Sequence, residues 1–413
     1  MANYYVATTG NNSNPGTIGS PFLTIAKGIS VLVAGDTLYI RSGNYNESIN
    51  SNNQTIPAGT SWSNVVTISA YPGESVTIYI VLLANSSIKY LVFKDLIIDG
   101  RRTSNETVYI STANHIRFTG CELKDSYFQG VLMPHPGSDY NEFINCNIHG
   151  HGHTVNLDHG IYCASRYNLI QGCDIHDNAA YGVTVYNGYG ERPDGNVIKG
   201  NRFHHNAVLG SGGGIGVASS TGTLVYNNLV YSNRIGIEVA WGSPVGAKIY
   251  NNTVYGNVTG ITMNSDSSGA LVKNNIVYQS GSITNNGSGT VQANNLVGSG
   301  STNNPQFVNA GSANFALQAG SPAIDHGTTL SEVTTDFAGV SRPQGTAYDI
   351  GAYEFVGGGG TPDTTPPTGM VVSPASGGTV SGTVTVTCSA SDNIGVANVQ
   401  FYLDGSPLGG PIT

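Results

Sequence analysis

The chain of 413 residues carries 56 glycines, 10% charged residues and a formal net charge of −9. That length fits two or three domains, or one large domain and a small one. Its 16 Lys plus Arg against 25 Asp plus Glu exclude a generic nucleic-acid binder, whose cationic surface must displace counterions from phosphate. Glycine without a three-residue period excludes collagen, and 39% hydrophobic residues with 23 tyrosines are too apolar for a disordered chain. No window reaches the roughly 18 apolar residues of a membrane span, and the start MANYYVATTGNN lacks the basic region and apolar core of a signal peptide. An export signal, if the protein has one, is expected to lie outside this sequence.

A repeat dominates the chain from Phe93 onward. The segments FKDLII, TGCELK, INCNIH, QGCDIH, KGNRFH, YNNLVY, YNNTVY, KNNIVY and QANNLV align on their third residues: Asp95, Cys121, Cys146, Cys173, Asn201, Asn228, Asn252, Asn275 and Asn294. A second motif, glycine before an apolar, any, apolar triplet, begins at Gly130, Gly160, Gly182, Gly214, Gly236 and Gly260. Each period is therefore read as two short strands. Alternation points Cys173 and Ile175 inward and Asp174 and His176 outward. One such coil cannot bury its apolar face; stacked coils bury a continuous column and pair every strand edge with the next. In the inward column, asparagine amides hydrogen-bond up and down the stack, and cysteine serves as a small hydrophobe in the same slot. The five cysteines form no CxxC pair, so neither a zinc ribbon nor a thioredoxin-like motif is present. Most of them are packing.

These repeats resemble the right-handed parallel β-helix of the pectate-lyase-like superfamily, over roughly residues 35–300 by the coil count. The fold class expected is all-β: a parallel β-helix followed by a partial β-sandwich. The segment SPFLTIAKGISVLVAGDTLYIRSGNYNESI resembles the family's start, which implies an N-terminal capping helix with Phe22, Ile25, Ile29, Val31 and Leu32 over the open core. Residues 321–355, with SPAID and DIGAYEF, resemble the choice-of-anchor segment that ends many secreted bacterial β-helix proteins. There Arg342, Asp336, Asp349 and Glu354 are read as ion pairs and turn contacts. GGGGTPDTTPP is a flexible-then-stiff linker, and the alternating stretch after it resembles the first part of a bacterial immunoglobulin-like module, too short for a closed sandwich. The organisation expected is a solenoid over 1–356, a linker over 357–367 and an incomplete module over 368–413.

Function rests on the loops. Those rising before Ile161 and Ile215, and those after Met133, Tyr186 and Ala240, are long on both sides of one sheet, which makes a groove. Eight of ten histidines lie between His135 and His205. Of these, His149, His176 and His204 form an outward column continued by Tyr231, Tyr255 and Tyr278, read as an aromatic stack. The segment Asp158-His159-Gly160-Ile161-Tyr162 enters the sheet beneath a long loop. Aromatic rings stack on pyranose faces, while Arg, His and Asp bind hydroxyls or carboxylates. The site is therefore placed at Asp158, His153, His159, Tyr162 and Arg166. Tyr181, Tyr186, Tyr189, Arg192, Glu238, Trp241, His135 and His151 are placed around the substrate.

The resemblance implies a secreted polysaccharide lyase acting on a uronic-acid polymer by β-elimination. In that reading His159 or His153 is the base, Tyr162 the proton donor, and Arg166 or Arg192 neutralises the carboxylate. No protein metal site is assigned; Ca²⁺ is the one cofactor the resemblance leaves open, although no cluster of aspartates marks a site for it. Two other readings stand: a glycoside hydrolase using a carboxylate pair from Asp158, Asp194 and Glu191, and a glycan-binding surface solenoid that cleaves nothing. The partner in each is a polysaccharide. A monomer outside the cell or at its surface is expected.

Overall fold

The computed structural model describes residues 1–134, 136–154, 157–357, 367–374, 380–391, 396, 398–403 and 406–412. The chain divides into two compact units, Met1–Phe355 and Val356–Thr413.

The first unit is a parallel β-helix whose coils run through three sheets of 12, 11 and 10 strands. Each full coil holds three strands, where the sequence motifs suggest two. Leu169–Gln171, Asp174–His176 and Val183–Val185 form one coil, for example. In most of the six-residue motifs the first residue ends one strand and the last three form the next, so a sharp bend was hidden inside what reads as a single strand. The sheet register also shifts the inward column at both ends. Thr119 pairs with Lys94 and Ala293 with Lys273, which puts Leu96 and Asn295, not Asp95 and Asn294, in line with Cys121 and Asn275. Asp95 and Asn294 occupy the left-handed bend just before, at φ 55° and 52°.

Inside, columns of like side chains replace a conventional core. Phe93, Phe118 and Phe143 stack at centroid spacings of 4.7 and 5.2 Å, close to the inter-strand repeat of about 4.8 Å. The asparagine ladder is continuous. The Nδ2 of Asn201, Asn228, Asn252 and Asn275 donates to Oδ1 of the next asparagine at 2.9–3.0 Å, ending on Asn295. Each Nδ2 also donates to a carbonyl one coil back, as Asn252 does to Val225. The Cys121, Cys146 and Cys173 thiols donate to Phe93, Phe118 and Phe143 carbonyls in the same way. Cysteine thus takes over part of the asparagine bonding pattern in the same slot. A second ladder joins Asn178, Asn206, Asn233, Asn257 and Ser280.

The helix Ile25–Ile29 has five residues, with Thr24 accepting from the Lys27 N–H at its start. Ile25, Ile29, Phe22 and Leu32 are buried in the main core, and Val31 packs against it. At the other end, residues 299–355 fold back along the flank of the solenoid. Side chains of the bend column hold this segment: Asn227 donates to Thr335 O, Asn251 to Asp349 O, Asn274 to Thr328 O and Asn294 to His326 O. The outward column stacks as expected, with His149, His176, His204 and Tyr231 at 4.8–5.0 Å. Its tyrosine half is covered by Phe307 and Phe315. Arg342 is buried, bonded to Glu354 at 2.6 Å and to the Asp349 and Gly351 carbonyls. Asp336 accepts from Ala338, Val340 and Glu354 N–H groups. These groups are locks of the fold.

The second unit shows two antiparallel strand pairs, Thr368–Ser373 with Thr387–Ser391 and Val399–Leu403 with Ser406–Ile412. Met370, Val371 and Val372 are exposed there. Most of the linker 357–367 lies outside the described residues.

Asn252→Leu leaves the Asn228 N–H and amide and the Val225 carbonyl without their side-chain partner in a dry column, while Asn275 Oδ1 keeps only the backbone N–H of residue 252. It is expected to lower the unfolding free energy by about 3 kcal/mol in urea titrations. A loss below about 1 kcal/mol would show that the ladder contributes little.

Candidate functional site

The ten-stranded sheet carries the groove. Its outward residues, one per coil, run Tyr109, Leu132, Tyr162, Thr184, Gly216, Glu238 and Thr262 by direct strand pairing. Three residues earlier in the first four of these coils stand Glu106, Gln129, His159 and Tyr181, which form one wall. Beyond the strands, the loop 186–195 and Arg166 form the other.

Tyr162 is half-buried at the centre. Its ring lies 5.6 Å from His159, 6.4 Å from Tyr186 and 6.0 Å from Tyr189, the two tyrosines edge-on. A Cβ on Gly188 would fall 2.2 Å from the Tyr162 hydroxyl oxygen, so glycine is what lets the loop close over that hydroxyl. Burial and the neighbouring phenols push the Tyr162 pKa above its ordinary value. Arg166 pairs with Glu191 of the loop, which ties the far wall together. Arg192 donates to Ser243 O and lies 3.7 Å from Asp194.

Several residues expected in the site face the wall instead. Asp158 is buried, and its Oδ2 accepts the His153 and Thr154 N–H groups at 2.9 and 2.6 Å; it shapes the turn. Gly152, at φ +89°, lets the two segments approach, since a Cβ there would meet Asp158 at 2.3 Å. His159 is buried, donating its N–H to Gln129 Oε1 and accepting the Tyr181 N–H at Nδ1. That bond puts the proton of its neutral ring on Nε2. His151 is buried between Ser126 and the Leu123 carbonyl. Neither ring is an exposed base. His153 is exposed, with its ring 3.7 Å from that of Tyr127 and Nδ1 bonded to the Tyr127 carbonyl. His135 lies outside the described residues.

Three coils along, Tyr181 donates to Glu238 at 2.5 Å, Asn264 reaches the other oxygen of Glu238, and Trp241 stands edge-on to Tyr181 at 6.0 Å, exposed. This forms an aromatic shelf further down the groove. Three rungs separate it from Tyr162, about 14 Å.

One residue escaped the sequence reading. Glu106 precedes the strand Val108–Ile110 of the groove sheet, and burial alone raises its pKa to about 7. Its coil has Thr107 where later coils have Gly130, Gly160 and Gly182, so the glycine motif passed over it. An outward tyrosine at Tyr109, aligned with Leu132 and Tyr162, was the signal present.

Among the described residues no group of three or more His, Cys, Asp or Glu side chains is arranged to hold a metal ion. Three aspartates of this region already accept N–H groups: Asp139 that of Arg166, Asp194 that of Thr221, and Asp158 two. The Ca²⁺ left open by the sequence finds no fitting donor set in them. A separate cavity of about 360 Å³ lies between Tyr255, Tyr278 and the segment 304–318. It is lined by aromatic and neutral amide side chains and lacks an acid or base for chemistry near neutral pH.

Three parallel sheets wound into one solenoid define a β-helix protein of the pectate-lyase-like type. The chain belongs to the Pel9A-like right-handed β-helix family, whose model matches residues 4–326; a bacterial Ig domain model matches residues 367–412. Among solved structures it is similar to pectate lyase Pel9A, at 16% identity and a TM-score of 0.66, over 86% of this chain and 96% of that one. A rhamnogalacturonan lyase matches at 18% identity and TM-score 0.52, covering 71% and 87% of the two chains. A glycoside hydrolase matches at 10% and 0.51, covering 72% and 97%. At these identities the likeness is one of fold. No curated protein sequence matches the chain.

Burial pushes both His151 and His159 from 6.5 down to about 3. Between these values the unfolded chain binds more protons, so their stabilising effect is complete above pH ~6.5 and is lost as pH falls toward 3. The urea midpoint is expected to decline over that window, and less steeply in His159→Gln, whose amide can accept the Tyr181 N–H. A flat midpoint would contradict the buried placement.

Proposed function

We propose that the protein acts outside the cell, as a monomer, on a uronic-acid-containing polysaccharide, cleaving it by β-elimination at Tyr162. The observation that carries this reading is the position of the Tyr162 hydroxyl. It lies under Gly188 of the loop whose Glu191 pairs with Arg166, and the ring that carries it stands beside those of His159, Tyr186 and Tyr189. The family and the two lyases of like fold support the reaction class.

In β-elimination a proton leaves the carbon beside the carboxylate, and the bond to the oxygen one carbon further on breaks. The carboxylate must be held by a positive or hydrogen-bonding group so that the charge developing on it is stabilised. Arg166 supplies the cation, Arg192 a second one along the loop, and neutral His159 a hydrogen bond. This gives His159 the part of donor in place of base. Tyr162 stays protonated at neutral pH because its pKa is raised. The Tyr162 proton goes to the departing sugar oxygen as the carbon–oxygen bond breaks. Tyr186, Tyr189 and, further along, Trp241 offer ring faces and edges to sugar rings. Of the carboxylates a hydrolase would pair, Asp158 is committed to its turn, Asp194 to the Thr221 N–H and Glu191 to Arg166.

With a panel of uronate polymers, elimination is read from the ultraviolet absorbance of the unsaturated product. Tyr162→Phe is expected to lower kcat by about 100-fold or more with KM nearly unchanged. New reducing ends without that absorbance would replace elimination by hydrolysis, and neither signal would leave a binding protein.

A further inference from the structure

The outward aromatic stack of the eleven-stranded sheet ends on Tyr255 and Tyr278, and the segment folded back over it leaves space beside them. Phe307 stands edge-on to both rings, at 6.0 and 6.4 Å. Between these rings and residues 304–318 a cavity of about 360 Å³ remains. That is the small end of the range of ligand pockets, roughly 300–1,000 Å³. It stands apart from the groove, because Tyr255 and Tyr278 belong to a different sheet from Tyr162. Four rungs separate Tyr255 from His149, whose coil runs on to Tyr162, about 19 Å along the axis.

The polar part of the lining is made of exposed side-chain amides. Asn304 Oδ1 accepts the Gln306 N–H at 2.9 Å, which leaves its Nδ2 unspent. Gln318 Nε2 donates to the Phe307 carbonyl at 2.7 Å, which leaves its Oε1. Gln279 and Gln306 make no side-chain hydrogen bond to any described residue. Both glutamines hold left-handed backbone, at φ 53° and 52°. In the coils before Gln279 the same bend carries Asp177, His205, Ser232 and Gly256, all left-handed. A short polar side chain gains local hydrogen bonds from that conformation, or glycine adopts it freely, whereas a long glutamine has neither advantage. Among the described residues the left-handed glutamines are these two, and both line this one cavity.

A sugar ring presents C–H faces and a rim of hydroxyls that both donate and accept. Aromatic walls beside unspent amides match the two kinds of surface. No Asp, Glu, Lys, Arg or His lines the cavity, so an anionic sugar would lose water there without gaining a partner for its charge. We propose that the cavity is a second, non-catalytic carbohydrate site that takes a neutral sugar unit, a single residue or a disaccharide in size. The proposal does not rest on elimination in the groove. A polysaccharide engaged at both places is held through two contacts on one solenoid, which raises the effective concentration of chain at the groove. The polymer class this implies carries neutral sugars, as branches or stretches, beside the unit that the groove takes.

The test titrates the full chain by calorimetry with galactobiose, cellobiose, xylobiose and arabinobiose, and with digalacturonate as the charged counterpart. At least one neutral disaccharide is expected to bind saturably, with a Kd of about 10 mM or tighter. The double variant Gln279→Gly, Gln306→Gly removes both free amides and suits the left-handed backbone. It should keep the unfolding midpoint of the parent, bind the neutral disaccharide about 10-fold or more weakly, and bind digalacturonate as the parent does. A crystal of the parent soaked with the best binder decides the matter without a variant, and should show a sugar ring against Tyr255. Three results would overturn the proposal: no saturable binding of any neutral disaccharide up to about 50 mM, unchanged affinity in the folded double variant, or sugar in the soaked crystal only outside the cavity. Digalacturonate weakened as much as the neutral sugar would overturn the neutral class.

Discussion

Every coil of this protein has to satisfy the backbone and side-chain groups of the coil beneath it at one fixed spacing. Strand pairing supplies most of that, but the bends between sheets place polar groups in dry positions. The asparagine ladders meet this need because one amide both accepts and donates along the axis. Asn252, for example, accepts from the Asn228 amide while donating to Asn275 and to the Val225 carbonyl. Cysteine meets part of it with one weak donor, and each of the three thiols bonds back to the carbonyl of one of the stacked phenylalanines Phe93, Phe118 and Phe143 one coil earlier. Such a frame makes the direction of a side chain a consequence of its place in the coil.

The groove follows from that rigidity. Tyr162 faces out because Ile161 and Cys163 face in, and its neighbours along the axis are set by register. The long loops are then free to differ from coil to coil. The loop 186–195 uses this freedom to bring Gly188 over the Tyr162 hydroxyl, Glu191 to Arg166 and Tyr189 toward Tyr109. The same frame also absorbs residues that look catalytic. Asp158, His159 and His151 are chemically apt, yet the stack uses them as turn anchor and ladder partners.

Much of the fold was legible because the repeat is written in side-chain type. The cysteine-to-asparagine column, the histidine-to-tyrosine stack and the outward place of Tyr162 all follow from period-two alternation within a coil. The third strand was not legible, since the bend between Gln171 and Asp174 falls within one unbroken motif. The register error at Asp95 and Asn294 has a similar origin: a left-handed bend residue and the inward residue after it are both small and polar in most coils. The fold-back of residues 299–355 depends on contacts between distant parts of the chain, such as Asn251 with Asp349, which no local pattern encodes. For the site, sequence located the sheet and the loops but not which side chains the ladder would consume. Glu106, whose carboxyl burial lifts to about 7, was passed over because its coil has Thr107 in place of the marker glycine.

In the proposed reading, sugar lies on the open face of the ten-stranded sheet with Tyr162 at its centre, and neither the 360 Å³ cavity beside Tyr255 nor the flank under residues 299–355 is its site. A crystal structure of the Tyr162→Phe chain soaked with a uronate oligosaccharide tests that placement most directly. The account predicts a saccharide lying along the coil axis between Tyr109 and Tyr186, with a carboxylate toward Arg166. Density confined to the Tyr255 and Phe307 cavity, or sugar bound with Arg166 still closed on Glu191 and its carboxylate turned away, would contradict it.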